Sequence, residues 1–180
     1  MVKRRVRLVL IALIAAAVVA SIVYADLAAG TKAPDFTLPT IDGKTFTLSS
    51  CFARPARVVL LDIWATWCPP CRAEIPRLID LQKKFNGKDV LIVGVSVDQK
   101  KSDVVDFAKK QRINYTVAHD SGGDKVGRPY GVRSIPTTYI IDKKGVIRHA
   151  HTGFPPRDPQ AGKEMAAQME REIKTLLAQK

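Results

Sequence analysis

Two cysteines separated by two prolines, in the run Trp67-Cys68-Pro69-Pro70-Cys71, are the residues of this chain best suited to chemistry. Paired thiols at this spacing exchange electrons with other disulfides, because one thiolate attacks a disulfide sulfur and the second thiol then displaces the product. A disulfide across two intervening residues closes too short a loop to stabilise a fold much. The spacing therefore predicts a redox-active pair rather than a structural bridge.

The order in which the two thiols act follows from their place in the predicted secondary structure. Cys68 comes directly after the apolar run of residues 57–64 and opens a segment with helical spacing. The positive end of a helix dipole and its free N–H groups stabilise a thiolate, which lowers a cysteine pKa from about 8.5 to roughly 3.5–7.5. We therefore expect Cys68 to attack and Cys71 to resolve the mixed disulfide. The two prolines fit here, because the first turn of a helix has no N–H bonds to lose.

A cysteine pair at this spacing also forms half of some zinc sites. This chain has only three cysteines, so there is no second pair, and His119, His149 and His151 are distant in sequence. We expect no metal, and no cofactor other than the redox-active disulfide itself. His149 and His151 share one face of a strand, and we interpret them as solvated residues of an outer strand.

Hydrophobic patterning predicts the strands and helices that would position the cysteine pair. The predicted strands cover residues 33–38, 45–48, 57–64, 89–97, 114–119, 137–141 and 146–151, with hairpin turns at Asp42-Gly43 and at residues 142–145. The predicted helices run from the cysteine pair to Asn86-Gly87 and over residues 101–111 and 160–180, with a short helical turn at 124–130. Strand–helix alternation with hairpins at both ends is typical of an α/β domain whose mixed sheet is covered on both faces.

The N-terminal segment indicates export. Four basic residues lie before residues 8–25, a stretch of 18 residues without charge. As a helix this stretch would be about 27 Å long, close to the thickness of the hydrocarbon core of a membrane. It is therefore either a signal peptide cleaved before Asp26 or a retained membrane anchor whose positive flank stays in the cytoplasm.

Both interpretations give the same organisation. We predict a signal peptide or anchor over residues 1–25, a linker over 26–32 and one domain over 33–180. The domain would lie outside the cytoplasm, in the periplasm or on the outer face of the cytoplasmic membrane. An odd number of cysteines leaves at least one thiol without an internal partner in such a protein. We interpret Cys51 as a buried free thiol, the alternative being an intermolecular or regulatory thiol.

The net charge of +12 does not indicate a nucleic-acid partner. Beyond the N-terminal segment the basic residues are spread along the chain, and none of them forms a patch interleaved with aromatic residues. Nucleic-acid binding domains concentrate their positive charge in such patches. We therefore expect no nucleic acid among the partners.

Two motifs in the expected order resemble those of a known family. Residues 62–71 (DIWATWCPPC) resemble the active-site segment of thioredoxin-like proteins, and residues 130–138 (YGVRSIPTT) resemble their second signature, in which the proline peptide bond is cis. The start at residues 33–38 (APDFTL), after an export segment, resembles the membrane-anchored extracytoplasmic TlpA/ResA-type branch. The resemblance covers about residues 33–155. It implies a thioredoxin-like α/β fold, with a mixed central sheet flanked by helices and an N-terminal β-hairpin extension.

The resemblance also implies roles for individual residues around the cysteine pair. Pro136 would be the cis-proline that faces the two sulfurs, and the backbone of Ile135 would pair with a substrate strand. Trp67 would pack beside Cys68 on the docking surface, whereas Trp64 would lie in the core beneath. These assignments make Trp67, Ile135 and Pro136 the expected substrate-binding residues.

Two acidic residues near the motif are candidate catalytic groups. Asp62 lies inside an apolar strand, where a carboxylate is costly unless it is hydrogen-bonded or protonated. By resemblance it is a general base for Cys71 through water; the alternative is an acid at a strand end that caps backbone groups. Glu74 matches an acid that some members of the anchored branch use near the disulfide. Its alternative is a surface residue that complements the helix dipole.

The resemblance implies an extracytoplasmic thiol–disulfide oxidoreductase acting on protein thiols and disulfides. We expect a specialised reductant, for example in cytochrome c maturation, which a membrane thiol carrier supplies with electrons. An oxidant that forms disulfides and a copper chaperone of the same fold are the alternatives. A thiol peroxidase is not expected, because such enzymes need a threonine and a proline where this chain has Ala65 and Leu61.

Overall fold

The structure is a computed structural model that describes residue 27 and residues 29–53, 57–85 and 89–179. The strands in chain order are β1 (Thr37–Pro39), β2 (Thr45–Thr47), β3 (Val58–Trp64), β4 (Val90–Ser96), β5 (Thr116–His119), β6 (Thr137–Ile141) and β7 (Ile147–Thr152). The α-helices are α1 (Pro69–Phe85), α2 (Lys101–Gln111) and α3 (Pro159–Ala178). Two short 3₁₀ segments cover Leu48–Cys51 and Ser121–Gly123.

The central sheet has the strand order β5-β4-β3-β6-β7. Strand β3 pairs in parallel with β4 and antiparallel with β6, so the sheet is mixed. Every residue of β3 is buried, as expected for an apolar run in a strand covered on both faces. The mixed central sheet predicted from the sequence is therefore confirmed.

All three α-helices cover the same face of this sheet, which we call the helix face. Trp64 of β3 packs there with residues of α1 and α3, and the ring of Phe107 in α2 lies 5.6 Å from the Trp64 ring. The connections β3-α1-β4 and β4-α2-β5 join parallel strands in the same direction across the sheet. Because such crossovers are right-handed, they place both helices on one face.

The opposite face, which we call the hairpin face, is covered by the β1–β2 hairpin and by residues 121–132. The hairpin turn falls at Asp42-Gly43 as predicted, and Gly43 has a φ of +87°, which favours glycine. Over residues 124–130 the structure has hydrogen-bonded turns rather than a regular helix, and the N–H of Tyr130 donates to the carbonyl of Val126 over 3.0 Å, which closes a single helical turn. A 3₁₀ segment at Ser121–Gly123 precedes these turns, and Gly122 and Gly123 have positive φ angles, which favour glycine.

The predicted N-terminal segment, residues 1–25, lies outside the described residues, as do Asp26 and the predicted helix end at Asn86-Gly87. None of the helices formed by residues 29–53, 57–85 and 89–179 is long and apolar enough to cross a membrane. The signal peptide or anchor, the linker over 26–32 and the domain limits therefore stay predictions.

Candidate active site

Cys68 and Cys71 are joined by a disulfide, with their Cα atoms 5.3 Å apart. Cys68 immediately precedes α1, and Cys71 lies in its first turn. The backbone N–H of Cys71 donates a hydrogen bond to Cys68 Sγ over 3.2 Å. This places the sulfur of Cys68 at the positive end of the helix, where a thiolate is stabilised.

The loop before β6 lies against this sulfur. The Ile135–Pro136 peptide bond is cis, as the resemblance implied, and the carbonyl oxygen of Ile135 lies 3.5 Å from Cys68 Sγ. Trp67, the residue before Cys68, is 67% exposed, whereas Cys68 itself is only 3% exposed. An exposed indole and a backbone carbonyl therefore flank the sulfur, which suits a site that meets another polypeptide.

Asp62 is buried in β3. It precedes Trp64 by two residues, so both side chains lie on the helix face of the sheet. Neither of its carboxyl oxygens has a hydrogen-bond partner within the described part of the chain. The interpretation of Asp62 as a cap for backbone groups is therefore wrong. Burial raises the pKa of Asp62 well above its ordinary value, and the neighbouring carboxyl of Glu74 raises it further.

Glu74 is 1% exposed, so its interpretation as a surface residue is also wrong. It follows Cys71 by three residues and shares the buried side of α1 with it. Its Oε1 atom accepts a hydrogen bond from the hydroxyl of Thr138 over 2.9 Å, and its Oε2 atom has no partner among the residues described. Burial raises the pKa of Glu74 to about 8, although the hydrogen bond from Thr138 opposes the change.

The strand register explains why these groups meet. Asp62 lies opposite Gly94 of β4 on one side and opposite Thr138 of β6 on the other. Residues in register on neighbouring strands point to the same face of a sheet. Helix α1 packs on this face and places Glu74 next to Asp62 and Thr138. Since like charges close together disfavour ionisation of both, this carboxyl pair retains a proton at neutral pH.

Two further buried polar groups lie on the helix face near Gly94, the residue opposite Asp62. The hydroxyl of Tyr115 and the Nε1 of Trp64 have no hydrogen-bond partner in residues 29–53, 57–85 and 89–179. Burial raises the pKa of Tyr115, and the charges of Asp62 and Glu74 raise it further, so its hydroxyl stays protonated beside them. We call Asp62, Glu74, Thr138 and Tyr115 the buried polar cluster.

Sequence reasoning missed Thr138 and Tyr115. Thr138 follows the cis-proline by two residues, and only the β3–β6 register shows that it faces Asp62. Tyr115 precedes β5 and reaches the cluster because β5 lies beside β4. A signal for the burial of Glu74 was present, because its spacing from Cys71 and Leu78 places it on the apolar side of the helix.

The remaining candidates lie away from the disulfide. The interpretation of His151 as solvated is wrong, because its Nε2 lies 2.7 Å from a carboxyl oxygen of Glu172 in α3. His149 lies 3.5 Å from the same carboxyl group. Cys51 is a buried free thiol, as predicted. No group of three or more His, Cys, Asp or Glu side chains within the described ranges is arranged to hold a metal ion.

The geometry of the site agrees with comparisons to known proteins. A model described as the AhpC/TSA family matches residues 29–150. The chain belongs to this family. The match includes the cysteine pair, both acids of the cluster and the cis-proline loop, so the family assignment covers the whole candidate site.

Individual relatives narrow this assignment. The chain is 39% identical to the thioredoxin-like protein YneN of Bacillus subtilis over 127 residues, which are 69% of this chain and 71% of the relative. It is 34% identical to the thiol-disulfide oxidoreductase ResA of Geobacillus thermodenitrificans over 127 residues, 71% of each protein. These relatives support the TlpA/ResA-type branch.

The fold comparison gives the same result. A crystal structure described as a DsbE thiol:disulfide interchange protein of Chlorobium tepidum matches with a TM-score of 0.73 and 35% identity, covering 84% of this chain and 99% of that one. The fold is therefore thioredoxin-like, with the predicted N-terminal hairpin. The protein is a thiol–disulfide oxidoreductase of the ResA/DsbE type, with Cys68 and Cys71 as its disulfide.

Proposed function

We propose that the chain is an extracytoplasmic reductant of protein disulfides, of the kind that prepares apocytochrome thiols for haem attachment. The observation that carries the exchange chemistry of this proposal is the environment of Cys68. Its sulfur accepts the Cys71 N–H over 3.2 Å at a helix N-terminus and lies 3.5 Å from the carbonyl of Ile135. A thiolate held there is stabilised and directed towards the face where Trp67 is exposed.

In the first step, the Cys68 thiolate bonds to one sulfur of a partner disulfide. The bond between the two partner sulfurs breaks, and the other partner sulfur leaves as a thiolate. In the second step, the thiol of Cys71 loses its proton and attacks Cys68 Sγ. The partner is released with both sulfurs reduced, and the chain is left with the Cys68–Cys71 disulfide. Two electrons have passed from the chain to the partner.

The buried polar cluster supplies the base for the second step. Glu74 lies on the buried side of the first turns of α1, as Cys71 does, and Asp62 of β3 is buried next to Glu74. A carboxylate of this pair takes the Cys71 proton, directly or through water, and the protonated pair is favoured because burial raises the pKa of both acids. Thr138 holds Glu74 in place through its hydrogen bond.

The same proton returns when the chain is recharged. A donor dithiol attacks Cys68, the internal disulfide breaks, and Cys71 leaves as a thiolate that the carboxyl pair protonates. The donor loses the two electrons that the chain gains. We propose a membrane thiol carrier as this donor, and attachment of the chain to the membrane through residues 1–25 if that segment is not cleaved.

The resemblance to the TlpA/ResA-type branch supports the reducing direction, and the uncharged residues 8–25 support the location. An oxidant would use the same residues with the electron flow reversed. The two directions differ in the resting state of the pair in cells: a reductant keeps Cys68 and Cys71 as thiols, whereas an oxidant keeps them as a disulfide.

Trapping with Cys71→Ser tests the proposal in the native compartment. Without the resolving thiol, Cys68 should accumulate mixed disulfides with partner proteins, which mass spectrometry would identify. A Cys68→Ser variant should yield none, and Cys51→Ser should not alter the yield. The proposal fails if no adduct forms or if Cys51 carries it.

Alkylation of thiols in intact cells tests the direction. We expect Cys68 and Cys71 to be alkylated in most molecules of the wild-type chain, and to become protected as a disulfide when the membrane donor is absent. A pair that is mostly oxidised in growing wild-type cells would overturn the reducing direction. The same samples show by their mass whether residues 1–25 are still attached.

A further inference from the structure

The central sheet gives the domain two ends along the direction of β3. Cys68 follows the last residue of β3, Trp64, and marks the active-site end. At the other end, which we call the basal end, the first residue of β3, Val58, pairs with Val90 of β4, and β6 turns into β7 through residues 142–146. Helices α1 and α2 each run back between two parallel strands. Both helices therefore end at the basal end.

The fold gathers at the basal end several basic residues that are far apart in sequence. Two lie in the last turn of α2 and one directly after it, one precedes β3, one lies in the β6–β7 turn, and one pairs with this turn. All are exposed, and none forms an ion pair with a residue of the described ranges. They are Lys32, Arg57, Lys109, Lys110, Arg112 and Lys144. Two exposed acids near this end, Asp35 and Asp89, also lack an ion pair among the described residues, so six positive charges face two negative ones.

Helix dipoles explain only part of this pattern. Basic residues near a helix C-terminus are stabilised by the negative end of the dipole, which accounts for Lys109 and Lys110 without any ligand. Lys32, Arg57 and Lys144 lie beside strands and in a turn rather than at a helix C-terminus. Their position at the same end of the sheet therefore needs another reason.

The chain enters the domain at this end. The N–H of Gly30 donates to the carbonyl of Ile147, the first residue of β7, over 2.7 Å. The uncharged stretch over residues 8–25 ends five residues before Gly30, and five residues span at most about 18 Å. A retained anchor over residues 8–25 therefore holds the basal end close to the membrane surface.

We propose that the basal end binds the anionic lipid headgroups of the membrane that anchors the chain, and that this contact turns the active site away from the bilayer. The proposal rests on the proposed function, in which the domain is extracytoplasmic and residues 8–25 stay in the membrane. Basic residues near an anionic surface are attracted to it, and the attraction falls off within about 8 Å at physiological ionic strength. Because the anchor makes the contact intramolecular, weak charge contacts are sufficient.

This orientation determines which proteins reach Cys68. The seven residues of β3 rise about 23 Å from the basal end to the active-site end, so the sulfur lies on the far side of the domain from the headgroups and faces soluble partners. A donor embedded in the membrane reaches Cys68 only after the domain tilts away from the lipid. Anionic lipid should therefore slow recharging by such a donor and leave the reduction of a soluble partner unchanged.

Energy transfer from a dye on the domain to acceptor-labelled lipid tests the orientation. The full chain is reconstituted in nanodiscs of phosphatidylcholine or of an equal mixture of phosphatidylcholine and phosphatidylglycerol. The dye is attached at Asn114→Cys, just before β5 at the basal end, or at Ser102→Cys, in the first turn of α2 at the active-site end. The three natural cysteines are replaced by serine in both variants.

In anionic discs the dye at position 114 should lie closer to the lipid than the dye at position 102, by about the 16 Å length of α2. In phosphatidylcholine discs, and in anionic discs at high salt, the difference should become small, because the attraction is electrostatic and is screened by salt.

Charge reversal assigns the effect to the basal end. The test variant reverses three basal charges: Lys109→Glu, Lys110→Glu and Lys144→Glu. The matched control reverses three exposed charges near the active-site end: Lys100→Glu, Lys125→Glu and Arg157→Glu. Both variants change the net charge equally. The difference between the dyes should disappear in the test variant and persist in the control.

Hydrogen exchange of the unsubstituted full chain gives an independent measurement that does not depend on how any variant folds. Backbone amides in the last turn of α2 and in residues 142–146 should exchange more slowly in anionic discs than in phosphatidylcholine discs. Amides of residues 121–131, near the active-site end, should exchange equally in both lipids.

The outcomes separate this inference from the proposed function. Equal distances of the two dyes from the lipid in anionic discs would overturn the docking, as would equal exchange of the basal amides in the two lipids. Loss of the difference in the control as well as in the test variant would assign the attraction to net charge and contradict a basal contact, and removal of residues 1–25 in native cells would refute the proposal as well. None of these measurements involves a redox step, so a failed docking leaves the oxidoreductase intact. Absence of mixed disulfides with Cys71→Ser would instead refute the proposed function.

Discussion

The two faces of the central sheet differ in how completely their buried polar side chains are hydrogen-bonded. On the hairpin face, the hydroxyl of Tyr130 donates to the carbonyl of Pro34 over 2.8 Å, and the hydroxyl of Tyr139 donates to the carbonyl of Tyr130 over 3.0 Å. On the helix face, five buried side-chain atoms lack a hydrogen-bond partner among the described residues, and they belong to Asp62, Trp64, Glu74 and Tyr115.

This difference distinguishes the face that stabilises the fold from the face that takes part in the proposed chemistry. Buried polar groups are nearly always hydrogen-bonded, so a group of exceptions calls for an explanation. Here the exceptions lie on the face that also holds Cys71, and the satisfied groups lie on the face that holds the N-terminal hairpin in place. On the helix face, the unpaired polar groups lower the stability of the fold at the position where we propose that a proton is taken up and released. On the hairpin face, the hydrogen-bonded polar groups contribute to stability and take no part in the proposed chemistry.

The largest expected effect comes from removing both carboxyl groups with Asp62→Asn and Glu74→Gln. Loss of the base should slow attack by Cys71 by about 10²–10⁴-fold, because general bases contribute that much. The measurement is single-turnover release of a partner thiol from its mixed disulfide with Cys68. In the wild type the rate should rise with pH as the pair ionises, and in the double variant only the rise from ionisation of the Cys71 thiol itself should remain.

Tyr130→Phe is the matched control, since it removes a polar group from the hairpin face. It should leave the release rate and its pH profile unchanged. A double variant that resolves the mixed disulfide at the wild-type rate would contradict the assignment of the buried polar cluster as the base.

The next effect concerns the pH dependence of stability in the oxidised protein. Because burial raises the pKa of Glu74 from 4.5 to about 8, the folded chain keeps a proton that the unfolded chain loses. The contribution of the Glu74 proton to stability should therefore be complete below pH 4.5, fall as the pH rises, and be lost above about 8. Each such group lowers the free energy of unfolding by up to about 1.36 kcal/mol per pH unit, so the total fall is several kcal/mol.

Urea unfolding between acid and alkaline pH measures this fall. Glu74→Gln should reduce it, and the remaining part should disappear in the double variant with Asp62→Asn. Both substitutions should raise stability at alkaline pH. Asp98→Asn provides the contrast, because the Asp98 carboxylate accepts hydrogen bonds from Thr66 and Ser96 and its loss should destabilise the fold. Equal pH slopes in wild type and variants would refute the prediction.

The elements of the fold were largely predictable because each depends on local pattern. Strand β3 follows from a continuous apolar run, and helix α2 begins and ends at the predicted residues, Lys101 and Gln111. The start of the turn segment after β5 was not predictable, because it depends on positive φ angles at Gly122 and Gly123. The periodicity of hydrophobic residues along the sequence does not reveal such backbone angles.

The site was predictable only where a motif or a residue type pointed to it. Cys68, Cys71 and Pro136 lie in motifs, and Asp62 stands out as a charge within an apolar strand. The contact between Thr138 and Glu74 depends on the pairing of β3 with β6 and on the rotation of α1, which are properties of the assembled sheet. No single stretch of sequence contains that information.

A smaller effect tests how tightly the helix face is packed around the cluster. A Cβ at Gly94 would lie 2.8 Å from Trp64 Nε1 and 3.2 Å from a ring carbon of Tyr115. Gly94→Ala should therefore destabilise the protein by about 1–3 kcal/mol through overpacking. Equilibrium unfolding measures the loss. The loss should be smaller in a Trp64→Phe background, and an equal loss in both backgrounds would show that the Trp64 edge is not the obstacle.

The smallest effect compares two hydroxyl groups, one on each face. Tyr130→Phe removes a hydrogen bond to Pro34 and should cost about 1 kcal/mol of stability, without altering the chemistry. Tyr115→Phe removes a hydroxyl that has no partner within the described chain, so it should cost less or even stabilise the fold. Equilibrium unfolding of both variants measures the difference, and if Tyr115→Phe costs as much stability as Tyr130→Phe, the two faces do not differ in the way proposed.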